Sequence, residues 1–263
     1  MDDCTLVVGV DEKHLRQLER TYPTWIAHKS SLVGMPMIVF YDRDQVKASD
    51  INLRHPSLTA VAWPPPELNI AFWGDASSKW TDPQRHKMLA GFVHVPAQHV
   101  RTKYWLKLDT DVVATGVPNW IDRYWFADRP AIVSHPWGFT KPADQMIRLD
   151  IWSLHCWKQL PELNKYPLLQ MIPTSPDSDR LKHPRIISWC AFFETEFTQF
   201  CSELAERTCG PCQIPVPSQD GYMWYIAERT NRSIRRAKMK PRGWEQWMTK
   251  SNIEKAVSRS LGG

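Results

Sequence analysis

Tyr104-Trp105-Leu106-Lys107-Leu108-Asp109-Thr110-Asp111-Val112-Val113 is the stretch on which the reading of this chain turns. Residues 104–108 form a short apolar and aromatic run, the composition of a buried strand. Two carboxylates, one residue apart, stand where that strand ends. On a continuing strand, residues i and i+2 point to the same face, so Asp109 and Asp111 are expected side by side. Open α/β sheets bind ligands beyond the carboxyl ends of their strands. Two acids placed there repel unless a cation lies near them, and a hard divalent ion takes oxygen from one or two carboxylates plus substrate phosphates. The plainer reading is a pair of solvated acids that help to end the strand. The apolar strand before them and Val112-Val113 after them favour the first reading.

Working outward, TLVVGV at 5–10 suits a buried strand, and Asp11 caps a helix through about Tyr22, ended by Pro23. PMIVFY at 36–41 and LTAVA at 58–62 are further strands, and 67–80 reads as an irregular loop. Thr81-Asp82-Pro83 starts a helix with Met88, Leu89, Phe92 and Val93 on one face and Pro96 beyond its end. PAIVS at 130–134 and IISWCAFF at 186–193 read as strands, with a helix near 194–207 and another from the cap Ser218 to about Arg229. No clear pattern emerges between about 140 and 185, where TSPDSD at 174–179 is a loop by composition. The alternation predicts an α/β fold: a mostly parallel central sheet with helices on both faces.

A second motif lies late in the chain, Pro217-Ser218-Gln219-Asp220-Gly221-Tyr222-Met223-Trp224. It sets an acid at a helix start about a hundred residues after the first motif. A helix dipole favours an acid there in any case. Lys238-Met239-Lys240-Pro241-Arg242-Gly243-Trp244 follows as a basic, aromatic segment.

The strand-borne D-x-D, the order of elements around it and the late acidic motif together resemble the GT-A fold of nucleotide-sugar glycosyltransferases, over roughly residues 5–230. The resemblance implies one GT-A-like domain over 1–263. Its Rossmann-type, nucleotide-sugar-binding half would be about 1–115, and its acceptor half about 116–263. It implies Mn²⁺ or Mg²⁺ held by Asp109 and Asp111 on the diphosphate of a nucleoside-diphosphate sugar, and transfer to a carbohydrate or other hydroxyl acceptor. Val8 and Val10 would form the pocket floor, and Asp42 would lie near the base or ribose. Asp109 would also contact the donor. Arg85, Lys240 and Arg242 would approach the nucleotide or diphosphate, as would Lys87. Asp220 matches the catalytic-base position of inverting enzymes, where Glu-Asp is common and this chain has Gln219-Asp220. Tyr222 and Trp224 would stack on acceptor sugar. The H-x-x-G-x-x-K-P-W pattern of some retaining families is met only by Lys240-Pro241 and Trp244, and no His follows His183, so inversion is expected.

Composition bounds the alternatives. Hydrophobic residues are 43% and charged residues 23% of 263, ordinary globular values. No run approaches a membrane span, and the acidic start MDDC lacks a basic signal-peptide region. A cytoplasmic protein with reduced thiols is expected, and Cys209-Gly210-Pro211-Cys212 reads as a turn with two ordinary thiols rather than a zinc or redox site. Residues 229–263 hold ten basic residues against Glu245 and Glu254, an excess suited to phosphate or to an anionic membrane surface; no nucleic acid is expected. There are 14 Trp, most of them expected to be packing residues. Two other functions remain open. LDTDVVATG resembles the D-x-D-x-[TV] start of haloacid-dehalogenase-type phosphatases, although that motif normally opens the chain. The Trp content suits a non-catalytic carbohydrate-binding protein.

Overall fold

The computed structural model describes residues 3–68, 83–136, 149, 151–153, 156, 186–216, 218–239, 242–246 and 250–262. Its sheet is built on β1 (Cys4–Val10), β2 (Met37–Asp42), β3 (Leu58–Trp63) and β4 (Tyr104–Leu108), all parallel. β6 (Ile132–Pro136), β7 (Ile186–Glu194) and β8 (Ile234–Arg236) complete seven strands in the order β3-β2-β1-β4-β7-β6-β8. β7 runs antiparallel to both β4 and β6, while β8 is parallel to β6. The fold is therefore α/β with a mostly parallel, mixed sheet. A separate two-stranded ribbon pairs β5 (Val112–Ala114) with β9 (Trp244–Gln246).

Strand alternation sends side chains into two cores. Leu6, Val8, Val10, Val39, Leu106, Leu108 and Phe192 face α1 (Glu12–His28), which contributes Leu15, Leu18, Tyr22 and Trp25. Val7, Ile38, Phe40, Trp105 and Phe193 face α3 (Pro83–His99), α4 (Thr195–Cys209) and α5 (Gln219–Arg229). The Phe40 ring fills the gap between β1 and α3. A Cβ on Gly9 would meet it at 2.3 Å and one on Gly91 at 2.5 Å, so both positions must lack a side chain. A single helical turn, α2 (Ser30–Val33), follows α1, and α6 (Lys250–Ser260) packs on α1 and β5.

Two helices pass through the prolines expected to stop them. α1 continues past Pro23 to His28, and α3 past Pro96 to His99. An interior proline removes a backbone hydrogen bond and costs about 3 kcal/mol or more. Burial on the far side of each proline outweighs it. Trp25 is fully buried with its indole N–H on the Val112 carbonyl at 2.7 Å, and Thr24 Oγ accepts from Ala114 N at 3.1 Å. Beyond Pro96, Val100 is buried in the core. The expected caps of α1 and α5 are present: Asp11 accepts from His14 N at 2.8 Å and Ser218 from Gly221 N at 3.1 Å. Thr81-Asp82, the 174–179 loop and most of 67–80 lie outside the described residues.

Candidate functional site

The parallel strands β1, β2 and β4 direct their carboxyl ends to one edge of the sheet, and each end carries acid: Asp11, Asp42, and the Asp109–Asp111 pair. Asp109 and Asp111 are not on a continuing strand. β4 stops at Leu108, and the next three residues turn, with Val112 N bonding to Asp109 O at 3.2 Å before β5 begins. The turn, not i/i+2 alternation, brings the two acids together. It is pinned on three sides. Asp109 N donates to Trp189 O of β7 at 2.9 Å. Thr110 Oγ donates to Gln17 Oε1 at 2.9 Å, and Thr21 Oγ donates to Thr110 O at 2.9 Å.

The two carboxylates have different surroundings. The buried Lys107 ammonium lies 2.5 Å from Asp109 Oδ1. No basic side chain pairs with Asp111 among the described residues. The amide of Gln246 on β9 reaches its two oxygens at 3.4 and 3.5 Å. Burial, and then the neighbouring Asp109 charge, push the Asp111 carboxyl up from 3.8 to about 6. Burial and a like-charged neighbour both favour the protonated acid, and the Lys107 charge offsets them only in part. A hard divalent ion fits that deficit, with oxygens from these carboxylates and the rest of its shell from phosphates or water. Among the described residues no group of three or more His, Cys, Asp or Glu gathers to hold a metal.

Other residues singled out in the sequence are dispersed. Val8 and Val10 are fully buried on β1, their side chains in the α1-side core, so only their backbone could floor a pocket. Asp42 is also fully buried, with Lys87 Nζ at 2.8 Å from its Oδ1 and Asp44 N donating to the same oxygen at 3.0 Å. Arg85 is exposed near the start of α3. Asp220 is the second residue of α5, half-buried. Arg242 pairs with Asp122 at 3.3 Å and lies over the Trp125 ring. It precedes β9, four residues from Gln246, or about 13 Å along extended chain. Lys240 lies outside the described residues.

Tyr222 and Trp224 correct the expectation of a sugar platform. Both are core residues, 0% and 5% exposed, and the Tyr222 hydroxyl donates to Cys201 O at 2.7 Å. They sit four and six residues past the cap, where α5 turns them onto the core. The nine described tryptophans are all buried, so packing accounts for each. Cys209 and Cys212 are free and buried, their thiols pushed up to about 11 and about 12, mainly by burial. Lys107 and Gln246 were not marked by the sequence reading. Lys107 sat in plain view as the one charge inside a buried strand, whereas a neutral Gln far along the chain carried no signal.

No family model and no curated protein matches the chain. Solved structures do. Core-mannan synthase A (CmsA/Ktr4) from Aspergillus fumigatus, in its Mn/GDP form, aligns with a TM-score of 0.56 at 14% identity, over 85% of this chain and 70% of that one. The mannosyltransferase Ktr4p from S. cerevisiae, in complex with GDP, gives 0.54 at 11% identity, over 84% of this chain and 66% of that one. The fold is GT-A-like. This chain spans about two thirds of the length of these two proteins. A nucleotidyltransferase-type match, 4-diphosphocytidyl-2C-methyl-D-erythritol synthase from Anaerococcus prevotii, gives 0.52 at 11% identity, over 99% of this chain and 98% of that one. A GT-A-like sheet sets the turn after β4 at the edge where an α/β sheet receives its ligand.

Proposed function

We propose that this protein is a metal-dependent glycosyltransferase that moves a sugar, with inversion, from a nucleoside-diphosphate donor to an acceptor hydroxyl. One observation carries the reading. In a GT-A-like sheet, the turn after the central strand β4 holds two acids, one paired with Lys107 and the other, Asp111, pushed up by burial and by the Asp109 charge. The Aspergillus core-mannan synthase that aligns with this chain was solved in a Mn/GDP form, which supports a reading with a metal and a nucleotide. Bound there, Mn²⁺ or Mg²⁺ would offset the charge that builds on the departing diphosphate.

The chain's own residues take the remaining roles. Asp111 would hold the ion directly. Asp109, oriented by Lys107, faces the ribose side of the donor. The backbone of Val8 and Val10 floors the nucleotide pocket. Asp42 holds Lys87 at the pocket rim, and Arg85, Lys240 and Arg242 supply positive charge toward the diphosphate. Asp220 takes the proton from the acceptor hydroxyl as its oxygen attacks C1 of the sugar. The bond from C1 to the diphosphate oxygen breaks, and nucleoside diphosphate leaves. The chain works in the cytoplasm, and Arg236, Lys238 and Lys255, all exposed, offer the basic surface that would meet an anionic membrane.

Calorimetry with Mn²⁺ and UDP or GDP tests the reading. Wild type should bind and Asp111→Asn should not; equal binding by both removes Asp111 from the site. Nucleotidyl transfer is a second reading, favoured by the near-complete two-way coverage of the Anaerococcus match. It requires pyrophosphate release from a nucleoside triphosphate instead of nucleoside diphosphate release from a nucleotide sugar.

A further inference from the structure

Lys29 is fully buried at the C-cap of α1. Among the described residues, none of its hydrogen-bond partners is an acid. Its ammonium donates to Gly116 O at 2.6 Å, Arg242 O at 2.8 Å, Val117 O at 3.1 Å and Thr115 O at 3.3 Å, and lies 5.1 Å from the centre of the Trp244 ring. Three of these carbonyls follow β5, and the fourth precedes β9. The cation therefore closes the end of the β5–β9 ribbon opposite to Asp111 and Gln246.

That ribbon has three registered pairs, Val112 with Gln246, Val113 with Glu245 and Ala114 with Trp244. A two-stranded ribbon of this size does not hold its register alone. β5 is fixed to α1 by a row of side chains at helical spacing: Gln17 and Thr21 on Thr110, Trp25 on Val112 O and Thr24 on Ala114 N. Lys29 extends that row by one turn and carries it across to the C-terminal segment. Gly243 shows how tightly the join is drawn. It takes φ +76°, and a Cβ there would stand 1.8 Å from Thr115 O and 2.8 Å from Lys29 Nζ.

We propose that Lys29 is a positioning residue for the donor site: by clamping the 115–117 carbonyls to Arg242, it sets the register of β9 and so places the Gln246 amide on Asp111. The inference rests on the donor-site reading above. Lys29 touches neither donor nor metal and acts through Gln246.

The test titrates Mn²⁺ with UDP and with GDP into the full chain and into Lys29→Met, Lys29→Gln, Gln246→Ala and the double variant Lys29→Met/Gln246→Ala. Methionine keeps the unbranched stem and removes the donors. Lys29→Met should weaken binding about 10–100-fold, the range for groups that orient a metal ligand. Lys29→Gln, with two donors left, should fall between. The double variant should lose no more than the weaker-binding single variant, because both act through one contact. Additive losses, or wild-type affinity in Lys29→Met, overturn the proposal. Amide exchange across Gly243–Gln246 reads the clamp without any ligand: it should quicken in Lys29→Met, and unchanged exchange overturns the proposal. Should Lys29→Met fail to fold, Lys29→Gln carries the same comparisons. Wild type that binds neither nucleotide overturns the donor-site reading, and with it the role of Lys29 there, while amide exchange still decides whether the clamp exists.

Discussion

Replacing Asp111 by asparagine should stabilise the ligand-free protein. Burial and the Asp109 charge raise the Asp111 carboxyl from 3.8 to about 6. The folded state therefore holds a proton on this group that the unfolded chain gives up between about pH 4 and pH 6. Stability from this group is greatest at low pH and falls as pH rises through that window, so above about pH 6 the ionised Asp111 weakens the fold. At about 1.4 kcal/mol per pH unit the full penalty is about 3 kcal/mol, and partial solvation of the half-buried side chain brings the expectation to about 1–3 kcal/mol. Asparagine removes the charge and still offers an oxygen to the Gln246 amide. For a chain of this size that gain raises Tm by about 2–6 °C. Thermal unfolding of wild type and Asp111→Asn from pH 4 to pH 8 measures it. The gap should open as pH rises and close near pH 4. With Mn²⁺ and nucleoside diphosphate at a hundred times Kd, wild type should gain about 2.7 kcal/mol, which closes or reverses the gap, while the variant should gain little. An Asp111→Asn protein no more stable than wild type at pH 8 would refute the cation-deficient account of this turn.

Asp220→Asn is nearly isosteric, so donor binding and Tm should hold while turnover falls about 10²–10⁴-fold in steady-state assays; near-wild-type transfer would remove Asp220 from the mechanism. Tyr222→Phe should cost about 0.5–1.5 kcal/mol in urea unfolding, from loss of the bond to Cys201 O, with donor and acceptor affinity unchanged. A thiol reagent at pH 8 should leave Cys209 and Cys212 unmodified in the native protein and label them after unfolding. Charge removal at Arg236 and Lys238 should weaken binding to anionic vesicles without changing donor affinity, as calorimetry and flotation would show. Truncation after residue 230 is a poorer test, because it deletes β8 and β9 and leaves β5 without its partner.

The sheet was legible because its inner strands are nearly continuous apolar runs, as strands covered on both faces must be, and because Asp11 and Ser218 announce their helices. Pro23 and Pro96 misled, since local backbone preference cannot register Trp25 or Val100 packing beyond them. The three-residue strands β5, β8 and β9 exist only through pairing with distant segments, and no window of sequence contains that information. The acids of the site were plain as a motif, but their unequal states were not: Lys107 comes from within β4, and Gln246 arrives from 135 residues away. Tyr222 and Trp224 show the opposite limit. Aromatic residues near a candidate acid look like a sugar platform, yet their position on α5 turns them inward.

Nucleotide release tests the central claim most directly. Wild type and Asp111→Asn are incubated with a panel of UDP- and GDP-sugars, and separately with nucleoside triphosphates and sugar phosphates, with and without Mn²⁺. The account predicts Mn²⁺-dependent release of nucleoside diphosphate from at least one nucleotide sugar by wild type, and its loss in Asp111→Asn. Pyrophosphate release from a triphosphate, or nucleoside diphosphate release that survives in Asp111→Asn, would contradict it.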